Sequence, residues 1–186
     1  MVQEKYNSKI YNEAREETLQ RYSHLRANCL SPAGLQEGEA VCIVAPDSVS
    51  LVEYALDLGC QVCVLDAGDD MLRLFDQDGL IKKGLLAASE LIELKEKGLL
   101  FDDFIMVGQA SRLYPELKPF LKSEGRLIRA FSTKQTRLDF EVRGLSATGF
   151  NNILAYVLKP DYLYTTEIYD INYFKGEAED YLLIGR

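Results

Sequence analysis

The chain has 186 residues, 47% hydrophobic and 27% charged, a composition that fits one packed domain and excludes a disordered or low-complexity protein. Its 29 acids against 21 bases exclude general nucleic-acid binding, because phosphate contacts need clustered Lys and Arg. No apolar run reaches the roughly 20 residues of a membrane span, and the polar opening MVQEKYNSKIYNEAR has no secretory h-region, so a cytoplasmic protein without membrane contact is expected.

Tyr6 to Leu30 reads as a helix, with Tyr6, Ile10, Ala14, Leu19, Tyr22 and Leu25 in an imperfect apolar stripe ended by Pro32 and Gly34. Residues 1–34 are therefore an N-terminal helical segment that packs on a core domain spanning 35–186. Such a helix can cap the core, cover a cleft or pair with another subunit. Ala40–Ala45 is a short continuous apolar run, the pattern of a strand covered on both faces in a parallel sheet. Pro46-Asp47-Ser48 follows, and Asp47 or Ser48 suits the N-cap of a helix over Val49–Leu58 that Gly59 closes. Gln61–Leu65 is a second apolar run, then come the turn residues Asp66 to Asp70 and a helix to Gln77, which completes a βαβ unit and its following helix.

From Gly79 to Leu100 one short strand and one helix share the stretch in an order that periodicity leaves open. Phe104–Val107 reads as a strand, Pro115–Lys122 as a helix ending at Gly125, and Arg126–Phe131 as the next strand. Phe150–Leu158 reads as a helix stopped by Pro160. Tyr162–Tyr169 and Tyr181–Ile184 read as a terminal antiparallel pair.

The segment EGEAVCIVAPDSVSLVEYALDLGCQVCVLDAGDDMLRL, Glu37 to Leu74, resembles the opening of a class I S-adenosylmethionine-dependent methyltransferase. In that family a strand runs into a glycine-rich turn, a helix follows, and a second strand ends in an acid before a Met-Leu pair. Asp66, Met71 and Leu72 match those later positions. Phe101–Ile105, Leu117–Leu127 and the closing Tyr181–Arg186 resemble its fourth strand, fifth-strand approach and terminal hairpin. The resemblance covers roughly residues 35 to 186 and implies a Rossmann-like α/β fold: a mostly parallel sheet, helices on both faces, an antiparallel C-terminal strand pair. It also implies S-adenosylmethionine as cofactor, contacted from Ala45, Asp47, Ser48, Asp66, Ala67, Gly108 and Gln109. Asp66 is the position at which such folds accept two hydrogen bonds from a ribose diol; a turn residue or helix cap is the alternative. The departure lies in the first turn, where Ile43–Ser48 contains no glycine.

Three functions follow from this reading. The first is a diverged methyltransferase acting on a small molecule. The second is a non-catalytic protein of the same fold that serves as a partner or regulatory subunit, and the third is a binder of another nucleotide or a metal-bound metabolite in the same crevice. A homodimer or a protein partner covering the cleft is compatible with the length.

Other chemistry is weaker. Cys60 and Cys63 form a CxxC, but a redox motif needs its first thiol at a helix N-terminus and a zinc site needs a second pair, so buried structural thiols are expected and no metal. His24, the single histidine, has no nucleophile or metal-ligand spacing around it, and the sequence names no catalytic residue. The acid excess sits in residues 1–93, with 8 Lys/Arg against 16 Asp/Glu, whereas Arg112 to Arg143 holds eight bases and four acids. Within it Arg126, Arg129, Lys134 and Arg137, near a group of C-terminal tyrosines, read either as solvated surface or as a face for an anionic or aromatic substrate.

Overall fold

The runs AVCIV and QVCVL form strands because both faces of each are covered. In the computed structural model, which describes residues 33–46, 49–107, 113–132, 136–158, 164–165 and 180–186, β1 (Ala40–Val44) leads into α1 (Val49–Asp57) and β2 (Gln61–Leu65). There follow α2 (Asp69–Gln77), β3 (Leu86–Ala88), α3 (Leu91–Glu96), β4 (Phe101–Val107), α4 (Tyr114–Leu117) and β5 (Leu121–Ser132). The rest is α5 (Leu138–Ala147), β6 (Ile153–Leu158), β7 (Tyr164–Thr165) and β8 (Asp180–Gly185). One eight-stranded sheet runs β3-β2-β1-β4-β5-β8-β6-β7, parallel from β3 through β5. β8 then pairs antiparallel with both β5 and β6.

The pleat sends alternate residues to two cores. Val41, Ile43, Val62, Val64, Ile105 and Ile128 bury against Leu51, Val52 and Ala55 of α1 and Phe75 of α2. Cys42, Val44, Cys63, Leu65, Phe104, Met106 and Leu127 bury against Leu94 of α3, Tyr114 and Leu117 of α4, and Val142 and Leu145 of α5. Helices on both faces of a mostly parallel sheet are thus the observed architecture. The helix expected over Tyr6–Leu30 lies outside the described residues.

Three local expectations are corrected. The Phe150–Leu158 segment is strand β6 from Ile153 onward, and the helix lies earlier, as α5. Ile153 and Ala155 pack on one core and Leu154 and Tyr156 on the other, so its continuous apolar run has a two-residue period. In α5 the stripe Leu138, Val142, Leu145 is interrupted by Glu141, a charged residue that is nonetheless fully buried. The Pro115–Lys122 helix stops at Leu117, because Pro119 cannot donate the next backbone bond and the chain tightens into a 3-10 turn over Lys118–Phe120. Finally, β7 pairs with β6, and the antiparallel C-terminal pair is β6 with β8. In the stretch left open, β3 precedes α3.

The amino edge of the sheet is held by charges. Asp102 accepts from the Ala40 amide and from Lys122 Nζ, both at 2.8 Å. Buried Asp103 receives Arg126 at two points, Nε to Oδ1 at 2.6 Å and Nη2 to Oδ2 at 2.8 Å. The third arm of the same guanidinium, Nη1, donates to the Ala33 carbonyl and fastens the segment entering β1. Burial pushes Asp103 up, only partly opposed by Arg126, whereas the bond to Asp103 pushes Arg126 further up.

Cys60 lies beside this cluster. Burial, then the charges of Glu39 and Asp103, pushes its thiol from 9.0 to about 11. Burial likewise raises Cys42, Tyr114 and Tyr181. A group whose folded pKa is raised gives stability that is full below its unfolded pKa and lost as pH rises through the folded one. Unfolding free energy is therefore expected to fall above about pH 9, each group adding a slope of about 1.4 kcal/mol per pH unit between its two pKa values. Denaturant titrations from pH 8 to 11 check this, and Cys60→Ala is expected to flatten the decline between 9 and 11.

Candidate functional site

β1 has β2 on one side and β4 on the other, so the strand order reverses there and the chain leaving β1 and the chain leaving β4 lead to strands on opposite sides of the sheet. In open α/β sheets ligands bind at this point. Two residues leave the sheet in an unusual way. Ala45, just past β1, has φ +46, and Asp66, just past β2, has φ +56; they are the non-glycine residues with left-handed backbone among those described. Their amides still extend the ladder, Ala45 N–H to Leu65 at 2.7 Å and Asp66 N–H to Ala88 at 3.0 Å. The chain is thus pinned up to the last residue and then turned abruptly. Left-handed backbone costs an L-residue with a Cβ about 1–2 kcal/mol, and such strain concentrates at functional sites.

The structure brings Ala45, Asp66 and Ala67 together at neighbouring strand ends, since Val44 and Leu65 are register partners. Ala67 is half-buried on the core, whereas Asp66 is exposed. The capping alternative for Asp66 does not hold, because the N-cap of α2 is Gly68, without a side-chain cap bond; the turn alternative is consistent with its place between β2 and α2. Asp69 and Asp70 occupy the first turn of α2, also exposed. Asp47, Ser48, Gly108 and Gln109 lie outside the described residues, as do His24, Cys29 and Lys134.

Ala45 tests the strain directly. Glycine adopts this φ without penalty but loses about 0.5–1 kcal/mol in chain entropy. Ala45→Gly is therefore expected to stabilise the fold by about 0.5–1 kcal/mol, read as a small rise in thermal midpoint; a fall would contradict strain at this turn.

Among the described residues, Arg126, Arg129 and Arg137 do not form one face. Arg126 and Arg129 are an odd number of positions apart and project to opposite sides of β5. Arg126 serves Asp103, Arg137 bonds Asp139 at 2.9 and 3.0 Å, and Lys122 bonds Asp102. Arg129 is fully buried and meets Glu141, also fully buried, at 3.4 Å. The Tyr114 hydroxyl donates to Glu141 Oε2 and accepts from Arg129 Nε at 3.1 Å. This Tyr114–Arg129–Glu141 group was not legible as a unit, because its members come from three elements. Its one sequence signal is Glu141 standing inside the apolar stripe of α5.

The CxxC is divided by the pleat: Cys60 packs with one core and Cys63 with the other. Cys63 instead faces Cys42, its register partner on β1. Cys42 is raised by burial and by this contact, and Cys63 is lowered by the hydrogen bond from Cys42. All three described cysteines are buried and free. Among the described residues no group of three or more His, Cys, Asp or Glu is placed to hold a metal ion, and no helix is long and apolar enough to cross a membrane.

No family model matches the sequence, and no curated protein matches it. Solved structures match the fold. A TehB-like S-adenosylmethionine-dependent methyltransferase from Corynebacterium glutamicum superposes with a TM-score of 0.64 at 13% identity, over 94% of this chain and 98% of that one. The glycopeptide N-methyltransferase MtfA complexed with S-adenosylmethionine gives 0.61 at 12% identity, over 86% and 91%. Fibrillarin from Aeropyrum pernix, with natively bound S-adenosylmethionine, gives 0.60 at 10%, over 81% and 67%. The chain has a class I methyltransferase-like Rossmann fold.

Proposed function

We propose that this protein binds S-adenosylmethionine at the switch point between β1 and β4 and transfers its methyl group to a small molecule. The observation that carries the reading is Asp66: an exposed carboxylate at the end of β2, held by left-handed backbone and not engaged in capping α2. A carboxylate there accepts both hydroxyls of a ribose diol. Ala67 supplies apolar surface beside it. The turn at Ala45 aims the chain out of the sheet in the conformation a glycine would take, although its Cβ and the missing amide hydrogen of Pro46 narrow the contacts available to a ligand. When bound, S-adenosylmethionine supplies an activated methyl. The chain's part is to hold and orient it, since methyl transfer depends chiefly on proximity and alignment.

The complexes of MtfA and fibrillarin with S-adenosylmethionine support the cofactor by analogy of fold. A small acceptor is supported by the single sheet to which every described strand belongs, with no second domain inserted among the described residues. Titration calorimetry with S-adenosylmethionine and S-adenosylhomocysteine tests the reading: saturable binding is expected, and none at millimolar ligand would refute it. The glycine-free turn favours a second reading, a non-catalytic partner subunit of the same fold. In that case the chain alone does not bind the cofactor, and co-purification should recover a protein partner.

A further inference from the structure

Two arginines of β5 meet buried acids, and they do so differently. In a guanidinium, Nε and Nη2 share one edge, which matches the two oxygens of a carboxylate. Arg126 uses that edge fully, with both bonds to Asp103 made. Arg129 uses half of it. Its Nε lies 3.4 Å from Glu141 Oε2, while Nη2 and the other carboxylate oxygen, Oε1, are buried and have no hydrogen-bond partner among the described residues. The remaining arm, Nη1, is satisfied by the Ala130 carbonyl at 3.1 Å.

The Tyr114 hydroxyl explains the difference. It stands against both groups, accepting from Arg129 Nε and donating to Glu141 Oε2. Part of the carboxylate's capacity is thereby taken by the hydroxyl, and the second arginine bond is left unmade. A buried donor and acceptor that both lack partners carry the full cost of desolvation, so the arrangement is held against a local preference for two-point pairing.

We propose that Tyr114 is a positioning residue whose hydroxyl keeps the Arg129–Glu141 pair half-made and so sets the spacing between the heads of α4 and α5. Tyr114 is the first residue of α4, and Glu141 lies in the first turn of α5. These helices follow β4 and β5, so their heads stand over the carboxyl edge on the side of the switch point away from Asp66. Without the hydroxyl, Arg129 and Glu141 close to a two-point pair, which draws the head of α5 onto β5 and releases the head of α4. The spacing follows from the triad alone; its bearing on ligand binding rests on the reading given above.

Residue-resolved hydrogen exchange of the full, ligand-free chain tests this with Tyr114→Phe. The Phe140 and Glu141 amides, both bonded to the Arg137 carbonyl, are expected to exchange at least tenfold more slowly, and the Lys118 amide, bonded to Tyr114 O, at least tenfold faster. A tyrosine that merely fills the core would give faster exchange at both heads. That outcome, or an unchanged α5 head, overturns the proposal. Should the variant not fold, Glu141→Gln replaces it: faster exchange confined to the α5 head is expected, and equal acceleration of both heads is the contrary result. A crystal structure with an ordered water bridging Nη2 and Oε1 would also defeat it, because the pair would then be complete. Failure to bind S-adenosylmethionine is a separate outcome that leaves the exchange result standing.

Discussion

Glu141→Leu alone is expected to lower the unfolding free energy by about 3–5 kcal/mol, a fall in thermal midpoint of roughly 6–20 °C for a domain of this size. The cause is the charge left behind. Arg129 has no exposure, so without Glu141 its guanidinium stays buried, with Tyr114 Oη and the Ala130 carbonyl as acceptors. Arg129→Met alone has the mirror effect, leaving a buried carboxylate with a tyrosine hydroxyl. The double variant Arg129→Met/Glu141→Leu is expected to regain most of the loss, because taking two charges out of water costs about as much as their attraction returns. Denaturant unfolding of the four proteins closes the cycle, and a double variant as unstable as either single one would show that the pair stabilises the fold outright.

Asp66→Ala gives the second large effect, on binding rather than folding. A charged acceptor of this kind contributes about 1.5–3 kcal/mol, so affinity for S-adenosylmethionine is expected to fall about 10- to 150-fold. Asp66→Asn separates charge from backbone, since asparagine also tolerates the left-handed conformation that Asp66 adopts. An intermediate affinity is expected for it. Because the side chain is exposed, thermal midpoints of both variants without ligand should stay within a few degrees of the parent. Calorimetry that finds Asp66→Ala unchanged in affinity would remove the ribose assignment.

The parts legible in the sequence were those whose local pattern and tertiary setting agree. β1 and β2 are continuous apolar runs bounded by turns, and such runs fit strands covered on both faces. Gly59, read as a helix cap, adopts φ +82 at the end of α1. Legibility failed where a side chain's partner lies far along the chain. Glu141 masks the amphipathic stripe of α5 because its partners, Tyr114 and Arg129, neutralise it from other elements, and a charged core position looks like a surface one until they are known. The locally basic segment read as a possible face for anions, yet alternate pleat positions divide Arg126 from Arg129 and each finds its own acid. At the candidate site, Asp66 was visible from its place after β2, but the left-handed turns were not, since alanine does not favour that conformation and aspartate, which tolerates it, is as much at home in ordinary turns.

The place of β8 has a consequence for the order in which the molecule is made. This strand, residues 180–185, lies between β5 and β6, both of which precede it in the chain. During synthesis at 5–20 residues per second, the roughly 50 residues from the end of β5 to β8 take about 3–10 s to appear. For that interval β5 presents a long unpaired edge, and β6 has no place in the sheet. Chains stopped short of residue 180 would keep that edge open, and an exposed edge of this kind is a template for pairing with other chains. The closing strand therefore joins the two parts of the sheet and ends the period in which a nascent chain is most prone to associate with its copies.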